Sequence, residues 1–431
     1  KSVTIDGTGS NITVKGTMST TSANFVVFNV TAGNTVVMKN FTIADSGGAP
    51  WYDGGGIRNA GTLTLQGMTL SNHKVYFSGS GGGLVNLEPG TATVIDSTFS
   101  ANQALNGGGI ANSNATLTVI NSTFSGNVAD YEYGPSQGGA IYNQEGTVTL
   151  INNTIVNNQA ARSGVGGGIY NASGQTMTLV NNLLAKNVTG VTGSTVANQN
   201  CAGTLTDNGH NLDSGTTCAF TGTGSLSSST DALVGPLGYY GSNGGTAQTI
   251  PLLPGSAAID AGDAAVCANA STVNNLDQRG ITRPQGTVCD IGAFESQGFT
   301  LTPVTGSTPQ SATVSTAFAN ALGVTVASVS TKPAEPVDGG VITFTPPGSG
   351  ASATLATPNP VTIDCPAPES AGFNVQGAPP VDSCTVSLTA TANATTGGYS
   401  VTAGARGVAT NSKFSLTKNN LPTPHSNRVC G

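Results

Sequence analysis

Gly-Gly-Gly-Ile-Arg-Asn, residues 54–59, decides how this chain folds, because the block returns at 81–86, 107–112, 138–143 and 166–171. Its apolar anchors, Ile57, Leu84, Ile110, Ile141 and Ile169, are spaced by 27, 26, 31 and 28 residues. A second block follows each copy: Thr-Leu-Thr-Leu-Gln-Gly-Met-Thr-Leu-Ser-Asn ends at Asn72, and its counterparts end at Asn102, Asn127, Asn158 and Asn187. Thr, Val and Ile suit a pleated surface, and alternating polarity sends every second side chain inward, so each unit reads as about three short strands. No segment carries a sustained helical period.

A unit of roughly 27 residues cannot bury its apolar face alone and must stack on its neighbours. The expected solution is a right-handed parallel β-helix over residues 1–200, with inward columns of Ile, Leu and Val and with corner asparagines that ladder their amides from coil to coil. Val36-Val37-Met38-Lys39-Asn40-Phe41-Thr42-Ile43 fits one or two coils before the clear repeats. Seven or eight coils at ~4.8 Å each give a rod of roughly 35–40 Å.

Composition narrows the class. The 431 residues include 60 glycines, only 8% are charged and 5% aromatic, and the net charge is −7. Such a chain is neither an ordinary helical enzyme nor a charge-driven disordered one, and its glycines lack the three-residue period of collagen. With a pI near 4.8 and no basic run it has no electrostatic footprint for nucleic acid. No run approaches the ~18 apolar residues of a membrane-spanning helix. The cysteines fall as close pairs, Cys201 with Cys218, Cys267 with Cys289 and Cys365 with Cys384, leaving Cys430 for an intermolecular bond. None has a CxxC spacing, so the pairs read as structural disulfides of an oxidising compartment.

Gly-Gly-Ala-Ile (138–141), Phe-Ser-Ala-Asn (99–102) and Phe-Ser-Gly-Asn (124–127) resemble the GGAI and FxxN repeats of chlamydial polymorphic outer-membrane proteins, which implies a surface-exposed β-helical adhesin. After residue 200 the repeat fades. The motifs at 236–245, 252–263, 277–280 and 289–295 resemble the choice-of-anchor Q region of bacterial surface proteins. That resemblance implies that residues 201–297 are the last coils and the cap of the β-helix. From Phe299 short alternating strands separated by Gly, Pro and Asn turns read as a β-sandwich over 298–420. It is similar to the bacterial Ig-like modules that act as spacers in surface proteins. Residues 421–431 form a tail whose Leu421-Pro422-Thr423-Pro424-His425 is no sortase signal.

Candidates for chemistry are few. Asp130-Tyr131-Glu132-Tyr133 offers two carboxylates, Asp130 and Glu132, that alternation would put on one face ~7 Å apart, with tyrosines to stack on sugar rings; the competing reading is a polar loop. Asp260, Asp263, Asp277 and Asp290 crowd together with Arg279, Arg283 and Glu295. Calcium is one reading of that cluster, but the arginines favour ion pairs that tie down the cap. His73, His210 and His425 have no triad or metal spacing and read as surface histidines. Trp51 and Tyr52 read as corner packing rather than a glycan contact. The ten Asn-x-Ser/Thr triplets, Asn121-Ser122-Thr123 among them, follow from composition.

The chain opens at Lys1 in strand register and is expected to be a processed mature form with an uncovered first coil. A strand from another copy could complete that edge, a head-to-tail contact that builds a filament. The expected role is structural or adhesive at a bacterial cell surface, with self-association into a fibre and host or matrix glycans or proteins as partners. The alternative is a carbohydrate-active β-helix enzyme or a glycan-binding adhesin. No cofactor is expected beyond the calcium weighed above.

Overall fold

The computed structural model describes residues 1–16, 26–48, 53–75, 79–130, 134–190, 197–228, 232–241, 245–331, 333–366 and 381–420. They form two compact units, one of residues 1–252 with 256–296 and a second of 253–255 with 297–431.

The first unit is a parallel β-solenoid. One turn, in chain order, consists of Ile110–Ser113, Ala115–Ile120, Thr123–Ser125 and Val128–Ala129. Each strand pairs in register with its equivalents in the turns before and after, giving parallel sheets of seven, eight, eight and seven strands. Only the last strand of the short sheet, Ala197–Asn198, pairs antiparallel. Six complete turns run from Phe28–Val30 to Val188–Thr189, with partial turns on either side at Ser2–Lys15 and Cys201–Asp213. Each turn has four strands where the sequence pattern suggested three. The fourth is only two residues long, as at Gln103–Ala104, too short to display an alternation.

The core follows from this register. Phe28, Ile57, Leu84, Ile110, Ile141 and Ile169 stack in one column, and Met38, Leu65, Val94, Val119, Leu150 and Leu179 in another. Phe99 and Phe124 stack with ring centroids 5.0 Å apart. The Gly-Gly-Gly block lies where neighbouring turns come closest: a Cβ on Gly108 would stand 2.6 Å from Gly139 O and from Val128 N, so only glycine fits. Beyond the last turn, residues 214–228 cover the apolar end. Cys218, joined to Cys201, and Phe220 enter the core cluster, and Leu226 bridges to Leu212.

The second unit is a β-sandwich. One sheet is antiparallel and holds Phe299–Pro303, Leu322–Ser328 and Ser383–Leu388. A second holds Gln310–Thr313, Ser412–Asn419, Gly397–Gly404, Val341–Thr345 and Val361–Thr362, with its first pair parallel, and a third joins Ala353–Leu355 to Ala390–Ala392 antiparallel. Val324, Val326, Ile342, Phe344, Val401 and Phe414 are its buried core.

Candidate functional site

Polar ladders run inside the solenoid: a short one of Asn153, Asn182 and Asn211, bonded at 3.0 and 3.1 Å, and two longer ones. In one, Asn59, Asn86, Asn112, Asn143 and Asn171 pass side-chain amide hydrogen bonds at 2.7–3.0 Å. In the other, Asn102, Asn127, Asn158, Asn187 and Asn200 do so at 2.8–2.9 Å. All are buried, and each amide is both donor and acceptor, so none is left unpaired in the core. His73 occupies the rung before Asn102: its N–H donates to Asn102 Oδ1 at 3.1 Å, and its ring bridges Ser46 Oγ at 2.6 Å and Ile43 O at 3.1 Å. It is therefore not a surface histidine. Burial pulls its pKa down to about 4, so the ring is neutral.

Between the second and third strands of each turn the chain bends through a left-handed residue: Asn40, Gly67, Asp96, Asn121, Asn152 and Asn181 all have positive φ. Asn, Asp and Gly tolerate that conformation best. These corners, with the outward threonines of the third sheet, receive residues 245–252 and 256–293, which fold back along the flank of the solenoid. Thr69 Oγ1 donates to Thr246 O at 2.9 Å, Thr98 Oγ1 to Gln248 O at 2.6 Å and Thr123 Oγ1 to Gln278 Oε1 at 2.6 Å. Thr154 Oγ1 accepts from Ala293 N at 2.9 Å. From the corners, Asn121 Nδ2 donates to Leu276 O at 2.9 Å and Asn181 Nδ2 to Asp263 O at 3.4 Å. The end of the coil is covered by residues 214–228, while residues 245–252 and 256–293 line its side.

The charged cluster is the internal brace of this flank. Asp277 Oδ2 accepts from Arg279 Nε and Nη2 at 2.8 and 2.7 Å, and the Arg279 guanidinium lies 3.5 Å over the Phe294 ring. Glu295 Oε2 accepts from Arg283 Nη1 at 2.9 Å. Asp290 takes the Asp260 and Ser296 N–H groups at 2.8 and 2.7 Å. Burial, then the neighbouring Glu295 charge, holds the Asp290 carboxyl well above the usual range. Asp260 takes the Thr287 and Val288 N–H groups, and Asp263 caps the short helix Ala264–Cys267. The carboxylates thus face N–H donors, and among the described residues no group of three or more His, Cys, Asp or Glu is placed to hold a metal.

Where the flank passes the first turns it leaves an open groove of about 810 Å³, lined by Thr8, Ser10, Asn11, Ser71, Tyr239 and Gln248 among others, none of them charged. Tyr239 is 62% exposed at its edge. A smaller pocket of about 220 Å³ adjoins it, with Asp6, Lys39, Gln66, Asp96 and Gln278 in its wall. Asp96 is the one acidic residue in the column of left-handed corners. Its Oδ1 is buried without a hydrogen-bond partner, and burial pushes its pKa up to about 7.

No family model, curated protein or solved structure matches the chain.

The remaining sequence candidates separate. Asp130 accepts from Arg162 Nε at 2.8 Å and Gln103 Nε2 at 3.4 Å. Its proposed companion Glu132 lies outside the described residues, as do Trp51, Tyr52, His425 and Cys430. His210, half-buried, bonds through Nδ1 to Ala261 O at 2.8 Å. The disulfides join Cys201 to Cys218, Cys267 to Cys289 and Cys365 to Cys384. Sequence reasoning missed Asp96, Tyr239 and the groove, because a flank that docks from more than 100 residues away leaves no local pattern.

Proposed function

We propose that this chain is an extracellular structural and adhesive protein of a bacterial surface, with the solenoid as a stiff rod. The observation that carries the reading is the continuous Asn102-to-Asn200 ladder, which joins successive turns through buried side chains as well as through backbone pairing. Three local disulfides support an oxidising compartment. The GGAI and FxxN motifs, the choice-of-anchor Q-like motifs and the reading of the sandwich as an Ig-like spacer support the same assignment.

The groove beside Tyr239 favours a glycan as the adhesive target. Hydroxyls and amides can exchange hydrogen bonds with sugar hydroxyls, an exposed phenol ring can stack on a pyranose, and an uncharged lining suits a neutral saccharide. An array of immobilised neutral and acidic oligosaccharides tests this. Retention on neutral glycans, weakened about tenfold by Tyr239→Ala (~1.4 kcal/mol), is expected. Equal binding of wild type and variant, or binding of acidic glycans alone, would remove the adhesive half of the proposal.

A further inference from the structure

Strand Ser412–Asn419 of the sandwich alternates buried and exposed positions along its whole length. Its inward series is Ser412, Phe414, Leu416 and then Lys418, which is 2% exposed. An ammonium in a core series loses its hydration and ordinarily takes a carboxylate partner. The side chain of Lys418 instead meets Asn393: Nζ contacts the carboxamide Oδ1, and the Tyr399 ring centroid lies 4.7 Å from Nζ. Burial lowers the Lys418 pKa, which enlarges the fraction present as nucleophilic amine.

Asn393 is set to be attacked. Its Oδ1 also accepts from the backbone N–H groups of Ser352 at 3.3 Å and Thr395 at 3.2 Å, and its Nδ2 donates to Gly350 O at 2.9 Å. Two N–H donors on a carbonyl oxygen stabilise the negative charge that grows there when a nucleophile adds to the carbon. The Tyr399 hydroxyl, on the ring that faces the amine, is buried with no hydrogen-bond partner.

We propose that Lys418 and Asn393 join in an intramolecular isopeptide bond. The neutral Nζ adds to Cγ, a proton passes from Nζ to Nδ2, the Cγ–Nδ2 bond breaks and ammonia leaves. One amide replaces another, so neither oxidant nor cofactor is consumed. The bond ties the strand Ser412–Asn419 to the turn that follows Ala390–Ala392 and removes a charge from the core.

Intact-mass measurement of the full chain, followed by proteolytic mapping, tests the proposal. The expected result is a mass lower by one ammonia than the disulfide-bonded sequence, and a branched peptide that joins the segments carrying Asn393 and Lys418. Lys418→Met and Asn393→Ala each abolish the branch. Recovery of unmodified Asn393 and Lys418 in separate linear peptides from the wild-type chain would overturn the proposal, as would loss of ammonia without a branch.

Discussion

Two buried titratable residues, His73 and Asp96, act on stability with opposite sign. Burial holds the folded pKa of His73 at about 4 against an ordinary value of 6.5. Between these values the unfolded chain binds the extra proton, so His73 weakens the fold as pH falls from 6.5 to 4, by up to about 3 kcal/mol. Asp96 has a folded pKa of about 7 against 3.8. Its folded state holds the proton longer, so Asp96 favours the fold at low pH and this gain is lost as pH rises from 3.8 to 7. Asp96→Asn extends the corner pattern of Asn121, Asn152 and Asn181, and it should stabilise the chain at pH 8 by several kcal/mol, roughly 4 at most. Urea unfolding at pH 8 and pH 4 checks this: the gain should shrink at the lower pH, and a gain equal at both would sink it. His73→Asn, which restores an amide to the ladder rung, should flatten the loss of stability between pH 6.5 and 4 relative to wild type.

Each ladder rung serves two turns, so one substitution breaks several bonds at once. Asn127 accepts from Asn102 and donates to Asn158 Oδ1 and Phe99 O, so Asn127→Ala strands several buried groups at once. At about 1–3 kcal/mol for each unsatisfied group, denaturant unfolding should show a loss of 3 kcal/mol or more. Thr123→Val removes one bond to Gln278 and should cost about 1 kcal/mol. The repeat was legible because five turns put Ile or Leu at the position of Ile110 and four put Asn at the position of Asn127, so both columns show in the sequence. The two-residue strands were not, since Gln103–Ala104 carries no period. His73 was misread because its ladder role depends on spacing from Asn102, not on its residue type. The docking of Gln278 on Thr123 was invisible, because the pairing spans 155 positions and threonine is equally at home on an open face.

The chain is cross-linked by disulfides and by buried amide ladders. Its disulfides close short loops, with separations of 17, 22 and 19 residues. Each is worth about 3 kcal/mol, so reduction should lower the thermal midpoints of both units in calorimetry. The proposed Lys418–Asn393 bond would make the sandwich the part least affected by reductant. The most direct test of the central claim is immunogold electron microscopy of intact, unreduced producing cells, with mass spectrometry identifying the chain in the labelled material. A surface protein places gold on the outer surface or on appendages that extend from it, with the cysteines Cys201, Cys218, Cys267 and Cys289 oxidised. Gold confined to the cytoplasm, with those cysteines reduced, would contradict it.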